Sequence, residues 1–548
     1  MRTSVPIAFM LALSTAIGCG LGGRNPAGNN NGDNGGNNGS NGNNGNNGNG
    51  NNGNNGNNGP VTPTVVLAPG APMDAASQFG GADNPALAAM IVYPPDGVLI
   101  PPNLNELEVQ FTPVAATKLY EVAFAGASLD LRIYTPCNAV GNGCSLTPDA
   151  PTWILLSSAA RSQTITVTVR ATDGTGVGTS APHKLSFGDD DIDGGLYYWA
   201  ASTGAINRYD FGLRGQKAEA FYTPAQAGGI TQCVGCHALS QNGARIAVGL
   251  NAPGEEMRIL DVATRTTLYD ESFMSFMGNG LPSVSVFEAL APDGSRIVTV
   301  EGGGLTLRDG GTGALVGAMP ALANATMPDV SPDGKRVVYT RDGSGLGNLF
   351  AFGNPEVMQG TLLVASLGAT TITNEKPLVP SGGENNYYPS FSPDGAWVIF
   401  NRASGASYDA PDAVVYAVSV AGGNPIELTT ANDGMGNSWP KWAPFIQHFQ
   451  GATIFWIAFS SRRPYGLHGG ANAQIWMAAV DPQKLAHGAD PGYPAFWLPF
   501  QDPTTGNHIP QWTQKVARQP CMVTGVDQTG GCQQGETCQN GVCIPNIM

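Results

Sequence analysis

The chain has 548 residues, of which only 12% are charged, while glycine (75) and proline (41) are abundant. Its formal net charge is -15, and no cluster of lysine and arginine offers the basic surface that nucleic acids require, so nucleic-acid binding is excluded. The length predicts several domains. Short runs of valine, isoleucine, tyrosine and tryptophan between turn residues predict an all-β protein.

The N-terminus has the features of an export signal. Arg2 precedes an apolar stretch that ends in small residues before Cys19. The sequence "AIGC" resembles the lipobox of bacterial lipoproteins, although Ala16 stands where leucine is usual. The resemblance implies a signal peptide over residues 1–18, a lipid on Cys19, and an outer-membrane lipoprotein of the cell envelope that contacts the membrane through this anchor. Plain secretion with a free Cys19 is the alternative.

Residues 19–89 are expected to connect the anchor to the folded part of the chain. Residues 28–59 consist almost entirely of asparagine and glycine, which leaves no apolar side chain to bury and predicts a flexible tether. Residues 61–89 are rich in proline and alanine without clear periodicity, and we interpret them as linker.

Residues 90–188 contain several short strand-like runs, among them "LNELEVQFTP", "KLYEVAFAG", "LDLRIYTP", "TWILLSS" and "TITVTVRATDG". The last run alternates strictly between apolar and polar residues. About six short strands in roughly 100 residues predict a β-sandwich of the immunoglobulin or fibronectin type.

A hairpin motif recurs within residues 189–515. Its copies are "HALSQNGARIAV", "FEALAPDGSRIVTV", "MPDVSPDGKRVVYT" and "YPSFSPDGAWVIFN", with a fainter one at "WPKWAP", and they follow one another at intervals of 40 to 61 residues. In the Pro-Asp-Gly turn, proline presets the first position, aspartate bonds the turn backbone and glycine adopts positive φ. The spacing is typical of four-stranded propeller blades with loop insertions.

These copies resemble the repeat of TolB-type β-propellers, relatives of WD-repeat propellers. The resemblance implies a ring of six blades over residues 189–515, with one blade split between "GGLYYWAASTGAINRYDF" and "YPAFWLPFQDPTTGNHIPQW"; a ring of seven is the alternative. Propellers of this family mostly bind partners or substrates at the ring faces, and the fold alone implies no activity.

The sequence "CVGCH", from Cys233 to His237, is the sharpest chemical signal, since chance would produce it only about 0.002 times in such a chain. It resembles the haem-attachment site of c-type cytochromes. The resemblance implies one covalent haem c, bonded to Cys233 and Cys236, with His237 as the iron ligand. A disulfide between Cys233 and Cys236 is one alternative, and half of a zinc site is another, although no second ligand pair accompanies it.

The second axial ligand of such a haem is not fixed by the sequence. His508 belongs to the segment that should close the ring, Met274 and Met277 follow the blade that carries the motif, and Met257 is nearer in sequence. For each of these the alternative is a buried methionine or a surface histidine, and an open coordination site is a further alternative.

When the repeats are aligned, His237 matches Glu288, Pro328 and Pro389. The alignment predicts that the haem motif is not a separate cytochrome domain. We expect it to be the loop that leads into the hairpin of the first complete blade.

Nine cysteines are an odd number for an exported chain. With Cys19 lipidated and two cysteines on haem, six remain for three disulfides. Cys137 and Cys144 bracket a short loop and should pair. Residues 516–548 resemble the disulfide-stapled knobs of secreted bacterial proteins, which implies two bridges of undetermined connectivity among Cys521, Cys532, Cys538 and Cys543.

The sequence "GDDDIDGG" places Asp189, Asp191 and Asp193 at the spacing of a calcium-binding loop, but Ala200 replaces the glutamate that would complete it. We favour a solvated linker over a calcium site here.

The function that these features predict is an exported, membrane-anchored, monohaem c-type cytochrome-like propeller that transfers electrons to an unknown redox or cell-envelope partner. One alternative is a non-catalytic TolB-like scaffold that binds a protein or polysaccharide, with Cys233 and Cys236 bridged. Another is a haem enzyme such as a peroxidase or dehydrogenase subunit. Nucleophile-elbow, zinc-protease and phosphate-loop motifs are all missing, which favours an electron carrier or binding protein over an enzyme.

Overall fold

The computed structural model describes residues 61–546, apart from residues 115–116, 216, 229–232, 251–255, 273–286, 302–303, 318–323, 345–355, 409, 435, 471, 524–529 and 533–534. Predictions that concern Cys19, the signal peptide and the tether lie outside this part of the chain. Within it, no helix has the length and apolar character needed to cross a membrane.

Residues 64–187 fold into two sheets and one helix. The strands are β1 (Thr64–Leu67), β2 (Ala82–Asp83), β3 (Met90–Tyr93), β4 (Val98–Ile100), β5 (Val109–Thr112), β6 (Leu119–Gly126), β7 (Leu129–Pro136), β8 (Asn138–Val140), β9 (Gly143–Leu146), β10 (Thr164–Thr172), β11 (Gly176–Thr179) and β12 (His183–Phe187). The helix is α1 (Ala150–Ala159), and 3-10 turns form at Ala75–Phe79 and Pro85–Leu87.

The larger sheet has the order β1-β7-β6-β10-β11-β2, with β12 joined to β10 and β4, and the smaller sheet has the order β3-β5-β9-β8. Phe124 and Val167 of the larger sheet share one core with Phe111 of the smaller sheet. The prediction that residues 61–89 are linker was wrong, because β1 pairs in parallel with β7 and β2 pairs in parallel with β11. The sequence of residues 61–89 shows no periodicity, so it did not reveal these strands. Pairing with strands later in the chain places residues 64–67 and 82–83 in the larger sheet.

The run "TWILLSS", expected to be a strand, forms most of α1. The Asp149 side chain accepts a hydrogen bond from the Thr152 backbone amide at 2.9 Å, and Pro151 lies in the first turn. These N-terminal helix signals outweigh the apolar run. Trp153 and Leu156 are buried on the inner side of the helix.

Residues 195–513 form six consecutive sheets of mainly antiparallel strands. Sheet 1 contains β13 (Gly195–Ala200), β14 (Ala205–Asp210), β15 (Glu219–Tyr222) and β37 (Asn507–Thr513). Sheet 2 contains β16 (Val234–Leu239), β17 (Arg245–Leu250), β18 (Glu256–Asp261) and β19 (Thr267–Ser272). Sheet 3 contains β20 (Glu288–Leu290), β21 (Arg296–Glu301), β22 (Gly304–Asp309) and β23 (Leu315–Gly317).

Sheet 4 contains β24 (Ala325–Val330), β25 (Arg336–Arg341), β26 (Thr361–Leu367) and β27 (Ile372–Val379). Sheet 5 contains β28 (Asn385–Phe391), β29 (Trp397–Ala403), β30 (Val414–Ser419) and β31 (Ile426–Glu427). Sheet 6 contains β32 (Asn437–Trp442), β33 (Gln447–Phe449), β34 (Ala452–Ser461), β35 (Gln474–Val480) and β36 (Phe496–Trp497). Short helices α2 (Pro224–Ala227), α3 (Thr429–Asn432) and α4 (Pro482–Ala486), and a 3-10 turn at Gly466–His468, lie in the connections.

The last strand of this region closes the ring on the first. β37 pairs antiparallel with β13, so that Trp512 lies opposite Leu196 and His508 lies opposite Trp199. Sheets 2 to 6 are each built from one continuous segment, and only sheet 1 combines both ends. This is the architecture of a β-propeller, as the repeat resemblance predicted.

The hairpin turns have the predicted geometry. The turn glycine has positive φ in each clear copy: Gly243 (71°), Gly294 (74°), Gly334 (67°) and Gly395 (67°). The Asp333 carboxylate accepts a hydrogen bond from the Lys335 amide at 3.1 Å, which holds the turn closed. Arg336, just after its turn, donates to the carbonyl of Gly395 in the next sheet at 3.0 Å and so links neighbouring turns.

The two-sheet region packs against the propeller through aromatic side chains. Tyr93 lies 5.0 Å from Tyr465, ring centre to ring centre, and its hydroxyl accepts a hydrogen bond from the Trp497 amide at 3.1 Å. The Tyr465 hydroxyl donates to Glu108 at 2.8 Å. One continuous core therefore joins residues 64–187 to sheets 1 and 6.

The C-terminal hairpin consists of β38 (Glu536–Gln539) and β39 (Val542–Pro545). Disulfides join Cys521 to Cys538 and Cys532 to Cys543, and a third joins Cys137 to Cys144. The three predicted disulfides are thereby confirmed, and the connectivity within the tail is assigned.

Candidate functional site

The innermost strands of the six sheets surround a central cavity of about 60 Å³. From the same position of each strand, two consecutive residues line it: Cys236 and His237, Phe287 and Glu288, Met327 and Pro328, Tyr388 and Pro389, Trp439 and Pro440, Ile509 and Pro510. The predicted alignment of His237 with Glu288, Pro328 and Pro389 is thus confirmed in space. A cavity of this size holds about five water molecules.

An unusual backbone conformation brings both residues of each pair to the cavity. In five of the six pairs the first residue has positive φ although it is not glycine: Cys236 (40°), Met327 (52°), Tyr388 (51°), Trp439 (56°) and Ile509 (53°). Such a residue costs on the order of 1–3 kcal/mol, so the surrounding sheets must hold it in place. The strand register shifts at the same points, as in a β-bulge, which aims two successive side chains inward.

Four of the five residues of the haem motif, Val234 to His237, therefore lie in strand β16, and Cys233 immediately precedes it. The prediction that it is a loop leading into the hairpin was wrong, because β16 begins at Val234 and continues through the bulge at Cys236. The bulge lets a strand turn Cys236 and His237 toward the cavity, which a regular strand could not do for consecutive residues.

His237 is 3% exposed, and neither of its ring nitrogens has a hydrogen-bond partner. Burial lowers the pKa of His237 to about 3. An interaction with the Tyr197 backbone, which does not reach hydrogen-bond geometry, opposes this shift, and the positive charge of Lys441 adds to it. The imidazole is therefore neutral at neutral pH and keeps a free lone pair, the form that ligates metals. Burying two unsatisfied nitrogens is costly, so a ligand at this position would relieve a real penalty.

The two cysteines of the motif differ. Among the described residues, Cys236 is the free thiol, and burial together with the charge of Glu288 raises its pKa to about 12. Cys236 is thus protonated at neutral pH and is not an activated nucleophile. Cys233 is 4% exposed and disulfide-bonded, but not to Cys236. The Cys233–Cys236 bridge that the sequence left as an alternative does not form.

Two glycines leave space around Cys236. Gly235 and Gly249 lie opposite each other in the β16–β17 pair. A Cβ on Gly249 would lie 3.4 Å from the Cys236 Cβ, and a Cβ on Gly235 would lie 3.3 Å from the indole of Trp199. A free thiol and a neutral, unpaired imidazole fit the donor chemistry of haem attachment. A cavity of about 60 Å³ does not fit a porphyrin, so the ring has no place inside the cavity in this conformation.

The structure describes two of the four candidate second ligands, Met257 and His508. Met257 is fully buried between sheets 2 and 3, where it packs with Ile259 and Leu290. His508 precedes the cavity-lining Ile509 and lies beside Trp199, with ring centres 5.8 Å apart. Trp199 also lies next to Gly235 of the motif. The indole of Trp199 therefore lies between His508 and the motif. Met274 and Met277 lie outside the described residues.

Sequence reasoning missed an ion pair at the cavity. Lys441 lines the cavity, and its Nζ lies 2.5 Å from Asp329 Oδ1. Asp329 Oδ2 also accepts a hydrogen bond from the Phe391 amide at 2.7 Å. Both residues come one position after the proline of their repeat, so extending the alignment by one residue would have found them.

The aspartates proposed as a weak calcium site serve other partners. Asp189 accepts hydrogen bonds from the amides of Gln450 and Gly451, both at 2.9 Å, and Asp191 pairs with Arg161 at 2.6 Å. Among the described residues, no carboxylate group of three or more comes together there. Asp193 belongs to the same connection. The segment ties β12 to sheet 6.

No protein-family model matches the chain, and no curated protein matches it. Several solved structures are similar to parts of the chain at low identity. TolB from Acinetobacter baumannii is 14% identical with a TM-score of 0.39, covering 64% of this chain and 79% of TolB. Kuenenia stuttgartiensis hydrazine synthase is 12% identical with a TM-score of 0.34, covering 58% and 75%. The dihydro-haem d1 dehydrogenase NirN is 12% identical with a TM-score of 0.31, covering 54% and 52%.

Proposed function

We propose that the chain is an exported, six-bladed β-propeller protein that binds one haem c through Cys233, Cys236 and His237 and transfers electrons. The observation that carries the proposal is His237. It belongs to a CxxCH sequence, faces a central cavity, is almost fully buried, and has two ring nitrogens without partners. A structural histidine would normally satisfy at least one of them.

The roles follow from the residue chemistry. Cys233 is disulfide-bonded in this structure, so a dithiol would first have to reduce that bond. The thiols of Cys233 and Cys236 would then form thioether bonds, and the neutral imidazole of His237 would ligate the iron. A bound haem supplies one-electron chemistry. Because the closed cavity is too small, we expect attachment to take place before the sheets close around His237, and we expect the haem form to have a wider channel.

The remaining parts of the chain fit an anchored carrier. We propose that a lipid on Cys19 and the asparagine-glycine tether hold the protein at the outer membrane. The two-sheet region, which we assign to the immunoglobulin or fibronectin type, would then stand between the anchor and the propeller. The redox partner would be another protein of the cell envelope.

Intact-mass measurement tests the proposal. The full-length protein, made in a host that matures c-type cytochromes, should retain one haem after denaturation and show an α-band when reduced. A variant with Cys233→Ser and Cys236→Ser should lose the haem. A Cys137→Ser and Cys144→Ser variant, which removes a cysteine pair of different function, should keep it. A wild-type protein without any porphyrin adduct would rule out haem attachment.

A second function deserves the same experiment, because one observation favours it. Four of the six cavity positions are proline and the cavity is small, which suits a propeller that binds a protein or polysaccharide at a ring face and needs no cofactor. In that case the mature protein would have the mass of the polypeptide, its lipid and its disulfides alone.

A further inference from the structure

The segment that follows the ring-closing strand crosses to the neighbouring sheet. The Gln514 amide donates to the carbonyl of Gln241, in the hairpin turn of sheet 2, at 2.7 Å. The carbonyl of Lys515 lies so close to Gly243 that a Cβ on this glycine would approach it to 2.0 Å. β37 belongs to sheet 1, so the chain spans both sheets immediately after closing the ring.

Arg518 fastens this segment to sheet 1. Its guanidinium lies 2.8 Å from Asp210 and 3.3 Å from Glu219, and the three side chains are 6%, 9% and 14% exposed. Glu219 is shared with the buried Arg208, whose guanidinium also donates to the carbonyl of Ala517 at 3.3 Å. Such a desolvated network is costly to break on one side only.

The C-terminal hairpin is fastened to sheet 2. Glu536 in β38 pairs with Arg265 at 2.9 Å, and both side chains are about one-tenth exposed. Arg265 lies in the turn between β18 and β19, and its guanidinium sits 5.4 Å from the ring of Phe221 in sheet 1. Arg265 therefore contacts the tail, belongs to sheet 2 and reaches sheet 1, the sheet that contains the closing seam.

Disulfides hold the hairpin in shape. Cys521 and Cys538 are both partly exposed, whereas Cys543 is buried and bonded to Cys532. Small hairpins with so little apolar core depend on such staples. The Cys521–Cys538 bridge is therefore the one that a thiol in solution reaches first.

We propose that residues 514–523, together with the disulfide-linked hairpin at residues 535–546, form a redox-sensitive latch beside the closing seam of the propeller. A dithiol reductant attacks the Cys521–Cys538 disulfide, forms a mixed disulfide, and leaves as its own cyclic disulfide, so that two cysteine thiols remain. The hairpin then loses its shape and Glu536 leaves Arg265, so that the Arg518 and Gln514 contacts alone hold the tail beside the β13–β37 pairing. The chemical class of the partner is a dithiol, either a small molecule or an oxidoreductase of the CxxC type.

Hydrogen exchange on the full-length protein tests the latch. Adding dithiothreitol to the folded, oxidised protein should speed amide exchange in β13 and β37 several-fold and leave β28 and β29 of sheet 5 unchanged. Unchanged exchange in β13 and β37 after complete reduction of the tail would overturn the proposal.

Three variants separate the latch from other effects of reduction. With all four tail cysteines changed to serine, exchange at the seam should already be fast, and dithiothreitol should add nothing; a further increase would place the sensitivity elsewhere. Arg265→Met should speed exchange at the seam with every disulfide intact. Arg308→Met, which removes an equally buried pair with Glu301 within sheet 3, should leave the seam unchanged, and equal effects of the two arginine variants would contradict the latch.

Discussion

His237 and Glu288 occupy the same position in two neighbouring innermost strands, and the equivalent position in the other four strands is proline. Proline has no N–H donor and no charged group, so at this position four of the six strands present no hydrogen-bond donor or charge to a ligand. The two departures from proline are adjacent in the ring and are both ionisable residues. At this position the ionisable side chains therefore come from sheets 2 and 3, whereas one residue further along Lys441 of sheet 6 also lines the cavity.

Replacing His237 by proline should stabilise the protein in its haem-free form. The substitution removes two buried, unpaired ring nitrogens and restores the residue found in the equivalent strands, so the free energy of unfolding should rise by about 1–3 kcal/mol. Urea unfolding monitored by tryptophan fluorescence measures the change. The reverse exchange in a neighbouring strand, Pro389→His, should lower stability by a similar amount. A destabilised His237→Pro protein would mean that the imidazole makes a favourable contact in the haem-free channel.

His237 should also make the haem-free protein acid-sensitive. Its pKa is lowered to about 3 in the folded state and is about 6.5 in the unfolded chain. The neutral ring is favoured by folding, so its contribution is fully present above pH 6.5 and is lost as pH falls from 6.5 toward 3. The loss is about 1.4 kcal/mol per pH unit in this window. The difference in unfolding free energy between wild type and His237→Asn, measured from pH 7 to pH 5, should follow that slope, and a flat difference would contradict the shift.

The Lys441–Asp329 pair should behave as a coupled unit. Removing only the lysine leaves the Asp329 carboxylate in a partly closed channel, so Lys441→Met should cost about 2 kcal/mol. Adding Asp329→Asn should cost less than the sum of the two single changes, because the second change removes the uncompensated charge. A double-mutant cycle measures the coupling, and simple additivity would show that the pair is too solvated to matter.

Comparing alanine substitutions at Gly243 and Gly334 isolates the effect on stability of the contact between the tail and the turn of sheet 2. Both have positive φ in equivalent turns, so alanine should cost about 1 kcal/mol at either from backbone strain. At Gly334 the nearest atom to a new Cβ is 3.8 Å away, whereas at Gly243 it is the Lys515 carbonyl at 2.0 Å. Gly243→Ala should therefore lose about 2 kcal/mol more than Gly334→Ala. Thermal unfolding of both variants provides the comparison; equal losses would mean that the tail does not press on this turn.

Local chemistry made much of the fold predictable. Asp333 and Gly334 define their turn whatever surrounds them, and the repeat spacing then sets the succession of strands. The cysteine count constrained the disulfides in the same local way. The helix at Trp153 was missed because an apolar run reads equally as strand, although Asp149 and Pro151 were present as start signals.

The candidate site was predictable only in part. The motif and its alignment with Pro389 identified His237 as the residue of interest. The positive φ of Cys236 and the inward turn of both side chains could not be read from the sequence, because they arise where six strands converge. The width of the central cavity depends on side chains such as Tyr388 and Trp439, which come from different repeats. A local sequence pattern therefore cannot predict it.

Ring closure has a consequence for the order of events during synthesis. Gly195 pairs with Thr513, 318 residues later, so sheet 1 remains incomplete until nearly the whole chain has been made. In a chain exported from its N-terminus, His237 would arrive 270 residues ahead of the start of β37, which leaves an interval before the ring can close. During that interval the future channel has no complete wall. Whatever acts on Cys233 to His237, whether a maturation enzyme or a thiol oxidant, meets an open strand, and the arrival of the last strand ends its access.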